Sequence, residues 1–331
     1  MREYSTDVLI IGGSFGGVAA AVSVCRAGYK CILTEETDWL GGQATGQGVP
    51  LDEHPGIELY GATALYKNFR NRVRDYYRRN YSLTVAARED EYLNPGACWV
   101  SALGFEPRVG MLVIEEMLSP FISAGLLKVW RRTRLSAVHM DTDNIDAVEF
   151  ADVGKIVKAK YYLDATELGD VIEKGNIERV YGAESQTETG EPLAVEEANP
   201  QKQQPFTHLI ALEYRPDEES DIIEKPLLYD YFKSRFSRIS GLCASHRNGR
   251  IIAEGIPLGL FTTEEPGKYS PCIWNFRRYL YKGNFASSIF KSDVTSLMVG
   301  NEYSEGILCG VNDDERKKHI ERAKQLSLSL V

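Results

Sequence analysis

Gly12, Ser14 and Gly17 stand at the spacing of a G-x-G-x-x-G turn, and Glu35 follows 23 residues after the first glycine. The chemistry such a set can do is to hold a dinucleotide. The first glycine makes a tight turn, the third lets a helix approach a strand, and the amides at the helix start receive a pyrophosphate. An acid at that distance accepts hydrogen bonds from both hydroxyls of an adenosine ribose. Ser14 replaces the middle glycine and can donate its hydroxyl to a phosphate oxygen. Gly13, Phe15 and Gly16 complete the turn, and Glu36 follows the ribose acid. A second glycine pair, Gly41-Gly42, leads into Gln43, Ala44, Thr45, Gln47 and Gly48. Backbone bare of side chains there can approach a long ligand whose redox ring lies at residues 43–48. Gln43, Thr45 and Gln47 are the expected hydrogen-bonding groups near that ring. The plainer reading is a glycine turn that merely joins a strand to a helix.

Three elements must position these groups. Val8–Ile11 is a short apolar run of the kind buried on both faces of a parallel sheet. The helix behind it carries Val18, Ala19, Val22 and Cys25 on one stripe and closes at Gly28. Lys30–Thr34 is the second strand, ending at Glu35. Later, Lys158–Asp164 reads as a strand with Ala165, Thr166 and Glu167 at its carboxyl end, where open α/β sheets bind ligands. The alternative for that corner is a strand-to-helix turn capped by Thr166.

Two segments carry a resemblance. TEETDWLGGQATGQGVPLDEHP, starting at Thr34, and YYLDATELGD, at 161–170, resemble the flavin-approach segment and later FAD strand of the FAD-dependent oxidoreductases of the glutathione-reductase-like superfold, in the group related to fumarate reductase flavoproteins. The resemblance implies FAD as cofactor and an α/β fold: a Rossmann-like FAD-binding domain with a parallel sheet and small antiparallel meander, plus a mixed α+β substrate lobe. The runs Leu127–Arg132, Arg134–Met140 and Ile145–Phe150 are the expected meander, and Leu135 matches the position whose backbone meets the adenine. In that family the chain continues beyond residue 331 with a strand and a helix that points at the flavin. The expectation is therefore a split flavoenzyme, a heteromer in which a second protein subunit completes the FAD fold, or else a truncated chain.

Composition bounds the partners. With 331 residues and 43% apolar side chains the chain can bury a large core, and a net charge of −9 disfavours nucleic acid and anionic membranes. No apolar stretch reaches membrane-spanning length and no signal peptide opens the chain, so the expected location is cytoplasmic. Six cysteines without a C-x-x-C pair argue against a zinc site, an iron–sulfur cluster or a local redox disulfide, and no metal is expected.

The expected organisation is an FAD-binding domain over 1–182 with a helical and loop insertion at about 49–125, an exposed linker over 183–204, a substrate or cap lobe over 205–311 and a C-terminal helix over 312–331. In the insertion, His54 follows the proposed flavin segment and is the candidate catalytic base, set against a solvated or capping loop histidine. Ala62–Asn80 reads as an amphipathic helix whose arginines form a solvated face paired with nearby carboxylates. The long connection Tyr81–Phe105 reads as a functional loop or lid. In the substrate lobe Arg277, Tyr279 and Tyr229 are candidates for holding a small-molecule substrate, with a core role weighed evenly.

The leading functional expectation is an FAD-dependent dehydrogenase or oxidase that takes hydride from a C–H next to nitrogen or oxygen of a small polar substrate. The others are a non-catalytic nucleotide-binding subunit of a heteromeric complex and an NAD(P)-dependent reductase, the last disfavoured by the Gly41-Gly42 segment and the Asp-Ala-Thr strand.

Overall fold

The computed structural model describes residues 1–215, 222–236, 243–247, 250–256, 272–286, 289–298 and 300–331; of 235–236, 243–247 and 250–256 the backbone alone is described. The chain divides into two compact units, one of residues 1–96, 101–178 and 283–289, the other of 97–100, 179–282 and 290–331.

The first unit is built on a six-stranded sheet. Its elements are β1 (Arg2–Ile11), α1 (Phe15–Arg26), β2 (Cys31–Thr34), α2 (Ala64–Asn80), α3 (Val85–Glu89), α4 (Pro107–Ser123), β3 (Leu127–Trp130), β4 (Ala137–Asp141), β5 (Asn144–Phe150), β6 (Lys155–Asp164) and α5 (Asp170–Lys174). The strand order is β3-β2-β1-β6-β5-β4. The β3-β2, β2-β1 and β1-β6 pairs are parallel, and β5 runs antiparallel to β6 and β4. In the central strands Ile11 pairs with Thr34 on one side and Asp164 on the other. Three strand ends therefore finish level, which gathers the residues that follow them at one sheet edge.

The antiparallel part differs from the expected meander in one respect. Leu127–Trp130 is a parallel partner of β2, not a meander strand; only β4 and β5 form the hairpin, and it extends the same sheet. Alternation of apolar residues cannot tell a parallel edge strand from an antiparallel one; the preceding helix α4, which supplies the crossover, decides it.

Packing follows the apolar stripes. Val18, Val22 and Cys25 of α1 are buried as spaced, and Leu9, Ile11, Ile32, Val148, Phe150 and Val157 form one core cluster with Leu135 and Val171. Each such fully buried side chain contributes roughly 1.5–3 kcal/mol of transfer free energy. Helix α2 buries Phe69, Val73 and Tyr77, but also Arg70 and Arg74. This corrects the expected solvated face for those two residues: Arg70 pairs with Glu53 and Glu58, and Arg74 with Glu58, so both guanidiniums point inward at the loop before the helix. Arg72, half-buried, and Arg79, exposed, face Glu116, as a solvated face would. The stretch after α2 is well packed: Leu83, Ala87, Leu93, Leu103 and Phe105 are buried, and the Asn94 side chain bridges the Ser101 carbonyl and the Gly104 amide.

The second unit comprises α6 (Gln186–Thr189), β7 (Phe206–Thr207), β8 (Ile210–Glu213), α7 (Tyr229–Phe236), β9 (Cys243–Arg247), β10 (Arg250–Ile256), α8 (Ile273–Phe276), β11 (Arg278–Leu280), β12 (Val294–Leu297), β13 (Glu302–Tyr303) and α9 (Asp313–Leu328). Its small sheets are antiparallel, and Phe232, Tyr303, Ala323 and Leu326 form a core cluster. Asn312 caps α9 by accepting the Asp314 and Glu315 amides. Among the described residues no helix is long and apolar enough to cross a membrane, and no group of three or more His, Cys, Asp or Glu is placed to hold a metal.

Candidate functional site

At the level ends of β1, β2 and β6 the chain forms a crevice of about 500 Å³. Ile11, Gly12 and Ser14 come from the first strand and turn, Thr34, Glu35 and Glu36 from the second, and Ala165, Thr166 and Glu167 from β6. The three sequence signals thus converge on one opening at the carboxyl edge of the sheet, where α/β folds place their ligands.

The turn is fastened by backbone. Gly12 donates to the Thr34 carbonyl at 3.1 Å, and the Ala165 amide donates to Ile11 at 2.7 Å. Gly12 has φ +100°, and a Cβ there would overlap the Ala165 carbonyl; a Cβ at Gly17 would overlap the Gly12 carbonyl. Both positions therefore require glycine. Ser14 is the N-cap of α1, its Oγ accepting the Gly17 amide at 3.2 Å. The middle position of the motif thus carries a capping residue, whose O–H can still donate to a ligand. Among the described residues the amides of Ser14, Phe15 and Gly16 meet no protein acceptor, leaving three donors at the positive end of a 12-residue helix.

Glu35 is 9% exposed, and its carboxylate ties the second strand to the first turn: Oε2 accepts the Gly13 amide at 2.9 Å and Oε1 the Thr37 amide at 2.8 Å. A carboxylate has about four lone-pair sites, so two acceptor positions remain for hydroxyls. The second glycine pair docks on the same turn, the Gly41 amide donating to the Gly13 carbonyl at 2.7 Å. A Cβ at Gly42 would lie 2.5 Å from Glu167 Oε1 and 3.2 Å from Ser14 Cα. Bare backbone, a helix start and an acid able to orient a ribose therefore share one opening, and these residues fit an extended dinucleotide.

The β6 corner is organised by Asp164, the first residue of the Asp-Ala-Thr run. Its Oδ1 accepts the Thr166 amide at 3.0 Å and hydroxyl at 2.7 Å, and its Oδ2 accepts the Val171 and Ile172 amides at 3.0 and 3.2 Å. The Thr166 hydroxyl also accepts the Asp170 amide at 2.8 Å. Its hydroxyl thus serves the strand-to-helix turn, and Thr166 meets the crevice as a wall. An Asp two residues before a Thr, leading into a short helix, is the local signal for this.

Charge in the crevice is mostly negative. Glu35, Glu36, Asp38, Glu167 and Asp170 line it against a single arginine, Arg134. Burial pushes the Glu36 carboxyl up; Arg134, 3.6 Å away, pulls it down, and Asp170, Glu35 and Glu167 raise it further, for a net upward shift. Thr133 and Arg134, just ahead of Leu135, were not singled out by sequence; Leu135 itself lines the crevice and is 6% exposed.

Other expected residues separate. Gly46 and Gln47 line this crevice, whereas Gln43 lines a second one beside it. Ala44 is buried, and Gly48, at φ +63°, is a turn position. Thr45 is 1% exposed and its hydroxyl donates to the Leu40 carbonyl, so that donor serves the loop itself. His54 is exposed; its Nδ1 accepts the Gly56 amide at 3.1 Å and its ring lies 5.2 Å from that of Tyr60. The residue holds a local turn and lines neither crevice. In the second unit Tyr279 is 4% exposed, its hydroxyl pushed up to about 12 mainly by burial. The Arg277 guanidinium sits 5.7 Å from the Phe276 ring centroid, and Tyr229, on α7, has the Lys225 ammonium 5.3 Å above its ring.

A sequence model of the family described as FAD dependent oxidoreductase matches residues 7–280. Similar solved structures include L-proline dehydrogenase from P. horikoshii, 11% identical, with a TM-score of 0.34 over 55% of this chain and 59% of that one. Sdh1 of Mycobacterium smegmatis in complex with UQ1 is 9% identical, with a TM-score of 0.34 over 50% of this chain and 34% of that one. A cyclohexanone monooxygenase mutant from Rhodococcus sp. Phi1 bound to NADP+ is 16% identical, with a TM-score of 0.31 over 50% of this chain and 26% of that one. The chain spans less than two thirds of the length of each of these structures. Comparison with curated proteins finds no match.

Proposed function

We propose that this chain, which belongs to the FAD dependent oxidoreductase family and takes FAD as its cofactor, is the flavin-holding part of a dehydrogenase or oxidase. When bound, FAD supplies a two-electron acceptor for hydride from a C–H next to nitrogen or oxygen of a small substrate, the substrate's N–H or O–H proton leaving to a base or to water, and an external acceptor such as oxygen taking the electrons afterwards.

The chain's own residues bind and orient. The Ser14, Phe15 and Gly16 amides meet the pyrophosphate, with the Ser14 O–H as a fourth donor. Glu35 fixes the ribose hydroxyls through the lone pairs that Gly13 and Thr37 leave open, and Ile11 and Leu135 wall the opening. Gly41 and Gly42 keep the next stretch of backbone close, and Gln47, which lines the same crevice, would be the amide side chain nearest the rest of the ligand. Such positioning supplies catalytic effect by fixing the donor and acceptor atoms, without covalent chemistry from the protein.

The observation that carries this reading is the convergence of the turn at Gly12–Gly17, the Glu35 carboxylate and the Ala165–Glu167 corner around one crevice. A second reading is a nucleotide-binding subunit without redox turnover; among the described residues that line the crevice there is no histidine, lysine or tyrosine to serve as a base, which favours it. The visible spectrum of the purified protein separates the two. A flavin band that bleaches under a panel of amines and alcohols supports the redox reading; nucleotide without a flavin band, or a band that no donor bleaches, supports the second. Co-purifying polypeptides, identified in the same preparation, show whether a partner subunit takes part.

A further inference from the structure

A second crevice, of about 400 Å³, lies between α1, α2 and α4, a size that takes a small organic molecule. Phe15, Leu51, Leu65, Phe69, Ile114 and Met117 give it an apolar lining. Three of its rings form one aromatic wall: the Phe15 ring lies 5.0 Å from that of Phe69 and 5.8 Å from that of Tyr66, each contact edge to face. The crevice adjoins the first along the chain: Phe15 follows Ser14, and Gln43 follows Gly42, each pair having one member in each opening.

Among the described residues its polar side chains are Gln43, Asp52, Thr63 and Tyr66. Three are already engaged by the protein. The Thr63 hydroxyl accepts the Tyr66 amide at 3.2 Å as the N-cap of α2, the Tyr66 hydroxyl donates to Glu53, and Asp52 has a partner of its own. Gln43 is exposed, and among the described residues its side chain has no partner. That side chain can both donate and accept. Among the described residues the lining holds no lysine, arginine or histidine. Arg70, whose guanidinium lies 5.9 Å from the Tyr66 ring, is itself buried against Glu53 and Glu58.

A charged ligand therefore has no free counterpart among these side chains. An anion finds no cation, and an ammonium would have to displace the partner of Asp52 to reach its carboxylate. Either ion gives up hydration against an apolar lining without return. A neutral molecule gives up little, and Gln43 can meet its one polar group.

We propose that this crevice binds an uncharged molecule with an apolar ring and one hydroxyl, the ring against Phe15, Tyr66 and Met117 and the hydroxyl at the Gln43 side-chain amide. The inference deepens the redox reading and rests on it in one respect: an alcohol has the C–H next to oxygen that the flavin chemistry needs. Loss of that hydride to the flavin and of the O–H proton to water leaves a carbonyl, whereas an amine protonated at neutral pH is disfavoured by its charge.

The test titrates the protein as purified with benzyl alcohol, toluene, benzylamine and benzoate, following binding by ligand-observed NMR and calorimetry and recording flavin content throughout. Benzyl alcohol is expected to bind several-fold more tightly than benzylamine or benzoate. Gln43→Leu should weaken benzyl alcohol about threefold or more and leave toluene no weaker, as loss of one neutral hydrogen bond would. Met117→Trp should weaken both about tenfold by filling the crevice, with flavin content unaltered; Ala19→Phe, on the α1 wall, does the same if the first variant fails to fold. Benzylamine or benzoate binding as tightly as benzyl alcohol, wild-type affinity for benzyl alcohol in Gln43→Leu, or full affinity in both filled variants overturns the inference. Flavin present without this ligand preference rejects the neutral-ligand site alone. The preference without any flavin rejects the redox reading and leaves the site.

Discussion

Glu35 Oε2 accepts the amide of Gly13 at 2.9 Å, so the acid at the end of the second strand is bonded to the turn that follows the first. The two signals most visible in the sequence are thus one structural unit. A change in either alters the position of the other.

Gly12 and Gly28 both have positive φ, +100° and +85°, but only Gly12 is enclosed: a Cβ there overlaps the Ala165 carbonyl, while at Gly28 it meets nothing within 4 Å. Gly28→Ala should cost only the left-handed backbone penalty, ~1–2 kcal/mol. Gly12→Ala adds overpacking and should cost about 3 kcal/mol or more, with FAD binding lost. Denaturant unfolding of the two variants checks the difference; equal losses would mean that the turn does not pack against the β6 corner.

Asp164→Ala removes the acceptor of three amides and one hydroxyl at the start of α5. We expect a loss of roughly 2–4 kcal/mol, since several partly buried donors are left unpaired. FAD affinity should fall as well, because Ala165 and Glu167 line the crevice on either side of the released turn. Unfolding and flavin titration of the same sample report both.

Glu167 sets a carboxylate at the mouth, its Oε1 2.5 Å from where a Cβ at Gly42 would be. Glu167→Gln should therefore tighten FAD binding, by about two- to tenfold at low salt, with the gain fading as salt screens exposed charges. Weaker binding in the variant would instead make Glu167 a ligand of the cofactor. Fluorescence titration at two salt concentrations distinguishes these.

Glu58 is held by Arg74 and Arg70. Burial pushes its carboxyl up, but the two guanidiniums outweigh this and leave it below the ordinary value. A depressed carboxyl adds stability that is present above the unfolded value, about 4.3, and lost as pH falls through the folded one. Arg74→Met should cost about 3–5 kcal/mol near pH 7, where it strips a partly buried carboxylate of a partner. The gap from wild type should narrow below about pH 4, as Glu58 protonates. Chemical unfolding across pH measures the gap; a constant one would show that the pair does not carry the linkage.

The ligand-holding half of the fold was legible because it is local. Gly12, Gly17 and Glu35 announce themselves by spacing, and the strands beside them by apolar runs. What escaped was set by contacts distant in sequence. Nothing near Leu127 shows that it pairs with Cys31, and nothing in α2 shows that Arg70 and Arg74 turn inward to meet Glu53 and Glu58. Thr45 and Thr166 carry the residue type of a ligand-binding hydroxyl, but Leu40 and Asp164 take those donors. The cavity containing Gln43, Asp52 and Met117 draws on three helices and two loops and has no sequence signature.

The most direct measurement is FAD bound per chain in wild type and in Glu35→Ala, by absorbance of the desalted protein and by titration of the flavin-free form. The account predicts near-stoichiometric FAD in wild type and an affinity at least about tenfold lower in the variant, since removing one charged hydrogen-bonding partner costs ~1.5–3 kcal/mol. Wild-type protein that takes up no FAD, or FAD bound equally well without the Glu35 carboxylate, would contradict it.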